Sequence, residues 1–548
     1  LALGGKPSKK LDEAYENLRM AVGRAVPAPG GTPDTAMLDA ILKKGLTPAV
    51  STDYERWQPL HWCLEVPDVM ARGGFDAIIG NPPFLGGKKI TPAMGKNIRE
   101  WLVNQIAEGA VGNADLVAYF ILRAASLLRK SGGFGLVATN SISQNENRKV
   151  ALAPLLMTEF ELYRAVRSSR WTAPGAVLEI AQLWATRESL GAGVPRWVDD
   201  LSTHRISEHL EPAGRVQGDP SPLSGSRDLA YIGCNVNGMG FTLPKETAAA
   251  WIAEDERNRE VLRPFFGGEE LNEQPVAKSS RWVVDFFGMT ETQARSFEKP
   301  YAWVLERVRP ERLKLKNKPK LQEKWWLYEA SAVELRRRQE GLREVLAQTR
   351  LSKTQMPLRA PASALFADSC VVFPFQEHWM QAVLSSCLHQ QWSLVYGSGM
   401  RDDPRYTPKS VARTFPIPKE TSDLNVIGRR LDDFRSQAMQ IRGIGITAIY
   451  DLVNSRGCSD PDISELRRIH VDLDSTVMAA YGWGDVELNH GFHTYRQMTR
   501  WTVCPEARDE ILDRLLEENH RRAALQDGTP PLADDEGDGT TEMEGDQR

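Results

Sequence analysis

Asn81-Pro82-Pro83-Phe84 is the segment of this chain whose residue types and order could do chemistry. A conjugated amino nitrogen is a poor nucleophile, because its lone pair is delocalised into the ring that carries it. Acceptors that draw its protons toward tetrahedral directions return that lone pair to nitrogen. An Asn side-chain oxygen and a backbone carbonyl can both do this without first taking up a proton. A proline after the Asn removes a backbone donor and fixes the local chain, which aims the carbonyl. An aromatic side chain after the prolines offers a face to a flat ring. The plain alternative is a turn that only ends a strand, since Asn-Pro and Pro-Pro are common loop dipeptides.

The elements around the tetrapeptide favour the chemical reading. Phe75-Asp-Ala-Ile-Ile-Gly80 reads as a buried strand running straight into it, and Asp115 to Lys130 as an amphipathic helix. A Ser131-Gly132-Gly133 break then leads into a second buried strand, Phe134 to Thr139. Strand, helix and strand of this length predict a right-handed parallel crossover. Two further strands fit Phe160 to Val166 and Ala176 to Trp184, with Thr172-Ala-Pro-Gly175 as the turn between them. Residues 51–188 are therefore expected to form the carboxyl-side half of a doubly wound α/β sheet. Ligands of such sheets bind at the carboxyl ends of strands, where the tetrapeptide begins.

Phe75-Asp76-Ala-Ile-Ile-Gly80-Asn-Pro-Pro-Phe84 resembles the catalytic motif of gamma-type N6-adenine DNA methyltransferases. The resemblance implies a class I, Rossmann-like sheet and S-adenosylmethionine as cofactor. It implies that Asn81 and the Pro82 carbonyl hold the adenine amino group, that Pro83 completes the loop, and that Phe84 stacks on the extruded base. Asp76, Gly80 and Asp115 would lie at the cofactor, with capping of the following helix as the other role open to Asp115. Trp171, after Arg167-Ser-Ser-Arg170, is either a second aromatic for the base or a core tryptophan in a hairpin. Asn113-Ala-Asp115-Leu-Val-Ala-Tyr119-Phe120 and Gly132-Gly-Phe-Gly-Leu-Val-Ala-Thr139-Asn140-Ser141 are similar to the family's next helix and strand.

The larger arrangement resembles single-chain restriction-modification and phage-defence methylases, including the BREX and DISARM types, in which a target-recognition domain follows the catalytic one. Tyr396-Gly-Ser-Gly399, Arg405-Tyr406-Thr-Pro408 and Thr414-Phe-Pro-Ile-Pro418 resemble the end of such a domain. Double-stranded DNA is the partner this implies, with other proteins of a defence system beside it.

One departure from the family pattern stands out. Before the catalytic strand such an enzyme carries a glycine-rich turn after a first strand and an acidic residue closing a second. Gly4-Gly5 follows no strand, and residues 1–74 hold no strand-turn-helix of this kind. The cofactor site is expected to be incomplete in this chain, and a missing amino-terminal part or a companion subunit to complete it. The start at Leu1, inside a helical pattern, points the same way.

The rest of the chain divides by composition. A helical lead-in at 1–50 precedes the catalytic region at 51–188. A linker rich in Gly, Pro, Ser and Asp is expected at 189–228, a mixed α+β target-recognition domain at 229–420, a helical region at 421–525 and a disordered acidic tail at 526–548. The net charge of −4 is carried by that tail, which has eight acidic residues and one arginine, leaving about +3 for everything before it. Between Arg309 and Lys353 thirteen basic residues stand against six acidic ones, with Trp325, Trp326 and Tyr328 among them. That is the composition of a phosphate-tracking surface. Lys316, Lys318 and Lys320 in this run, and Lys88 and Lys89 after the catalytic loop, are the DNA-contact candidates, with a solvated face as the alternative.

Six scattered cysteines and nine histidines make no metal pattern and no disulfide framework. No metal is expected, and no signal peptide or apolar span argues for membrane or export, so a cytoplasmic location is expected. Two other function classes stay open. One is methylation of an RNA base or a protein amide, where Asn-Pro-Pro-aromatic also occurs. The other is a DNA-binding subunit of a defence complex that is catalytically incomplete.

Overall fold

Phe134, Leu136 and Ala138 alternate with Gly135, Val137 and Thr139, and a period of two puts the first set on one face of a strand. That face is buried beneath a helix whose Val117, Ala118, Ile121 and Ala125 are also fully covered. The computed structural model describes residues 9–27, 30–44, 60, 62–110, 112–173, 176–191, 193–216, 218–315, 317–400, 403–495 and 498–526. Gly4-Gly5, Pro174-Gly175 of the expected turn, Lys316 and the tail from 527 onward lie outside them. The chain divides into two units, Leu1–Ala213 and Gly214–Arg548.

In the first unit, helices α1 (Lys9–Ala25) and α2 (Thr35–Lys44) precede a six-stranded sheet. Its strands are β1 (Phe75–Gly80), β2 (Leu128–Thr139), β3 (Glu161–Ala173), β4 (Ala176–Thr186), β5 (Arg196–Val198) and β6 (Leu201–Thr203), in spatial order β1-β2-β4-β3-β5-β6. Helix α3 (Gly87–Met94) follows β1, and α4 (Leu116–Leu127) leads into β2, which pairs parallel with β1 as a crossover requires. Because β4 is antiparallel to both β2 and β3, strands β1, β2 and β3 run the same way and end at the same edge.

Glycines let this sheet close up. A methyl group on Gly135 would lie 3.0 Å from Cδ1 of Trp184, so the glycine is what allows that indole to lie across β2. One on Gly132 would lie 2.7 Å from the Phe75 carbonyl, where β2 absorbs the expected glycine break and its register with β1 shifts.

β1 is the sheet's edge and not a buried strand: no described strand pairs with its outer side, and Ile79 is 87% exposed. An apolar run reports the capacity for burial, not whether a neighbour supplies it. The stretch 189–228 is not a bare connector, since β5 and β6 join the sheet and the boundary between units falls at 213/214. Asp199, just after β5, accepts from the backbone N–H of Arg167 at 2.9 Å and from its Nε at 2.7 Å, which ties this addition to a bulge in β3.

The second unit has two four-stranded sheets. One, ordered Leu365–Phe366, Leu262–Phe266, Arg281–Val284 and Thr242–Pro244, packs on Phe241, Tyr301, Trp325 and Tyr328. The other is ordered Leu358–Pro361, Glu344–Thr349, Cys370–Phe373 and Tyr231–Ile232. The second sheet shares one core with helices His378–Ser385, Cys387–Tyr396, Ser422–Arg442, Ile446–Val453, Pro461–Tyr481 and Pro505–Gln526. The helical region expected as separate from 421 onward is therefore continuous with the β-rich part. Trp392, Tyr406 and Phe415 lie at the join, fully buried. No helix among the described residues is long and apolar enough to cross a membrane.

Candidate functional site

β1 ends at Gly80, and the tetrapeptide opens the loop that leads to α3. The loop is docked, not free. The Leu116 N–H donates to the Leu85 carbonyl at 2.9 Å, and Gly87 sits so close to the backbone before α4 that an added methyl would come within 2.3 Å of the Asn113 carbonyl oxygen. Pro82 is buried and Phe84 half-buried, while Asn81 and Pro83 are exposed. Neither the Asn81 amide nor the Pro82 carbonyl hydrogen-bonds to any described residue. Both acceptors are left for something from outside, which is what activation of an amino group requires.

Asp115 stands at the amino end of α4, but its carboxylate does not cap that helix. Oδ2 instead accepts from Ser141 Oγ at 3.0 Å, Asn147 Nδ2 at 3.0 Å and Thr139 Oγ1 at 3.3 Å, and the Asp115 N–H donates to Asn147 Oδ1 at 2.6 Å. Capping was one of the two roles open to Asp115, and a cross-link between α4 and the carboxyl end of β2 takes its place. Its Oδ1 faces the Asn81 loop, 3.7 Å from where a side chain on Gly86 would begin. Beside it, Arg99 donates to Tyr119 Oη at 2.5 Å and to the Gly112 carbonyl, which pins the 96–101 helix on α4. Burial raises the Tyr119 phenol above its ordinary pKa, against the pull of that guanidinium.

The same edge continues across the sheet through Glu179, which no motif singled out. Asn140 Nδ2 donates to Glu179 Oε2 at 2.6 Å, and Ser168 Oγ donates to Glu179 Oε1. The polar run Thr139-Asn140-Ser141 after an apolar strand was the visible signal for part of this cluster. Asn147 and Glu179 carried none, being single polar residues in ordinary local contexts.

Trp171, at the carboxyl end of β3, is on this edge and 46% exposed, so it is not a core residue. Asp76 is not on it. It lies at the opposite end of β1, roughly 13 Å from Gly80 at the usual rise per residue, and pairs with Arg129 Nε at 2.5 Å. Asp76 is thus placed away from any ligand at the strand's carboxyl end. Gly80 is at that end, where an added methyl would touch only Leu136 at 3.5 Å. The described residues at this edge thus present two open acceptors and two aromatic side chains, while β1 has no described strand on its outer side and no glycine-rich turn after a strand precedes it among them.

Lys88 and Lys89 are exposed in the first turn of α3, directly after the loop. The basic stretch from 309 to 353 is not the stacking surface its composition suggested. Trp325 is 4% exposed and Tyr328 is buried with its hydroxyl on the Val284 carbonyl, while the Trp326 Nε1–H donates to Met289. Arg312 is buried against the Val236 carbonyl, and Arg336 is paired with Asp285 at 2.6 Å beneath the surface. Lys318 holds Glu329 at 2.5 Å, and Lys320 is exposed. Composition counts charges without saying which of them the core has enlisted.

Comparison with known proteins agrees with this layout. Residues 33–163 match the Eco57I restriction-modification methylase family, and residues 212–419 match the target recognition domain of MmeI. No curated relative matches the chain. Among solved structures, the Type IIL restriction-modification enzyme MmeI in complex with DNA superposes with a TM-score of 0.60 at 20% identity, over 85% of this chain and 59% of that one. A nuclease-deletion mutant of the Type ISP enzyme LlaGI, bound to a DNA substrate mimic, gives 0.33 at 12% identity over 90% and 47%. The Type IIG endonuclease BpuSI gives 0.27 at 13% over 75% and 54%. The chain spans 59% of the length of the MmeI chain it matches. It carries a restriction-modification methylase region of the Eco57I type, followed by a target recognition domain of the MmeI type.

Proposed function

We propose that this chain is the part of a site-specific adenine-N6 DNA methyltransferase of restriction-modification that recognises DNA and holds the methyl-accepting base. The observation that carries the reading is the docked Asn81–Phe84 loop, with its two acceptors open and an aromatic face beside them. An adenine extruded from the duplex enters at the carboxyl edge of β1 and β2, with its ring against Phe84 and, on its other flank, Trp171. Asn81 Oδ1 and the Pro82 carbonyl take the two amino protons in hydrogen bonds. The nitrogen becomes pyramidal and its lone pair is aimed away from the ring.

S-adenosylmethionine supplies the methyl group when bound. Residues outside the described ones, in an amino-terminal part or a companion subunit, complete its holder along the open edge of β1. Gly80 and Asp115 border that position from this chain. Asp76 is left as a structural partner of Arg129.

Double-stranded DNA lies along the recognition unit. Lys88 and Lys89 meet phosphates that flank the extruded base, and exposed Lys320 is a phosphate contact of the recognition unit, whereas Lys318 is engaged by Glu329. The protein works in the cytoplasm, alone or with other proteins of a defence system.

The test is Asn81→Ala in the enzyme with its cofactor half present. Transfer of labelled methyl to unmodified DNA should fall by roughly a hundredfold or more, the scale of losing a group that stabilises the reacting atoms, while DNA binding stays within about twofold. Normal turnover of the variant would remove Asn81 from the chemistry.

A further inference from the structure

Between the Asn81 loop and Trp171, hydrogen bonds tie the ends of β2, β4 and β3 together, beside the Asp115 carboxylate that borders the loop. Asn147 and Ser141 hold Asp115 next to the loop; Asn140, the residue between Thr139 and Ser141, reaches Glu179; Glu179 takes the hydroxyl of Ser168. In the sheet Glu179 pairs opposite Arg170, one residue before Trp171. It therefore sits between the element that docks the loop and the strand that carries the second aromatic.

That strand needs an anchor here. The register of β3 against β4 slips between Val166 and Ser169, so the ladder itself does not fix residues 167 and 168. Carboxylates do so instead: Asp199 and Glu211 hold Arg167, and Glu179 holds Ser168. Arg167 is held from the β5 side, away from the site. Glu179 holds its neighbour from the site side, through a group that is itself fixed to the end of β2.

We propose that Glu179 is a positioning residue for Trp171. By tying Ser168 to Asn140, it sets the gap between Phe84 and Trp171 into which the extruded base fits. The inference rests on the reading of Trp171 as a stacking aromatic. In this role Glu179 acts through the strand. Its hydrogen bonds to Asn140 and Ser168 are charge-assisted, so they hold more firmly than a neutral pair would. A Gln can serve both partners, accepting from Asn140 and donating to Ser168; an Ala can serve neither.

The experiment is a double-mutant cycle on methyl transfer to unmodified genomic DNA, with thermal melting run on every variant and rates expressed per folded molecule. Glu179→Ala should lower kcat by about tenfold with KM for DNA unchanged, and Glu179→Gln should recover most of the loss. Trp171→Ala should cost at least as much. Adding Glu179→Ala to Trp171→Ala should then cost less than about twofold more, because residues acting through one another are not additive. Ser168→Ala, which removes the other end of the contact without unpairing a charge, should behave as Glu179→Ala does and serves if that variant fails to fold. Losses that multiply in the double variant, for both Glu179 and Ser168, would overturn the inference and leave the stacking reading intact. Normal turnover of Trp171→Ala would overturn the stacking reading and this inference with it.

Discussion

Gly86 and Gly87 differ in what surrounds them, and the difference can be turned into a test of how the catalytic loop is held. On Gly87 an added Cβ would lie 2.3 Å from the Asn113 carbonyl oxygen, 2.4 Å from its carbon and 2.7 Å from the Ala114 oxygen, all of them backbone. Ordinary contact begins near 3.4 Å, so Gly87→Ala must push α3 off the start of α4 by roughly 1 Å. Forced overpacking costs about 1–3 kcal/mol. For a unit of this size that is a fall of roughly 2–12 °C in melting temperature. The displaced loop is the one carrying Asn81 and Phe84, and a misplacement of about 1 Å at reacting groups costs on the order of a hundredfold in rate. On Gly86 the nearest atom would be Asp115 Oδ1 at 3.7 Å, so Gly86→Ala should be nearly neutral in both respects. Calorimetric melting of both variants, followed by methyl transfer at a temperature where both are folded, separates the two effects. A Gly87→Ala enzyme that melts and turns over like wild type would refute the claim that docking on α4 positions the loop.

Phe84→Ala should reduce turnover strongly and Phe84→Tyr mildly, since only the second keeps a stacking face; equal loss in both would mean that the ring only fills space. Arg336→Met should leave the buried Asp285 carboxylate unpaired and destabilise the recognition unit by about 3–5 kcal/mol in denaturant titrations. It should leave the salt dependence of DNA binding unchanged, and a flatter slope would return this arginine to the phosphate surface. His389 and His470 are buried, and burial pulls each imidazole from 6.5 down to about 4. Both stay neutral in the folded unit while the unfolded chain takes up their protons. Their contribution is therefore fully present above pH 6.5 and is lost as pH falls toward 4, on the order of 3 kcal/mol each. Denaturant midpoints that do not move across that range would contradict this.

What was legible in the sequence was local. Phe75–Gly80 as a strand, the following tetrapeptide, helix α4 and the crossover to β2 could be read because a strand's alternation and a helix's apolar stripe are written in neighbouring residues. Trp171 was left open between a surface aromatic and a core residue, because exposure depends on what packs against the strand and not on the residues beside it; the structure leaves it 46% exposed. The edge position of β1 was not legible, since pairing on its outer side depends on residues far away or elsewhere. Nor were β5 and β6, which are three residues long and lie among glycines and prolines. Trp325, Trp326 and Tyr328 read as stacking groups from their basic neighbours, yet Phe241, Tyr301 and the Val284 carbonyl take them into a core. Glu179 is an acidic residue in an apolar strand, and its meaning appears only when Asn140 and Ser168 are brought to it by the sheet.

Whether the Asn81 loop activates an adenine amino group is decided by giving the enzyme, with its cofactor half, isotopically labelled S-adenosylmethionine and a mixture of unmodified duplex DNA, RNA and protein. The products are then digested and separated by mass spectrometry. Label should appear in N6-methyladenine of the duplex DNA and be lost in Asn81→Ala. Label in RNA or protein, or N6-methyladenine formed undiminished by the Asn81→Ala enzyme, would contradict this role of the loop.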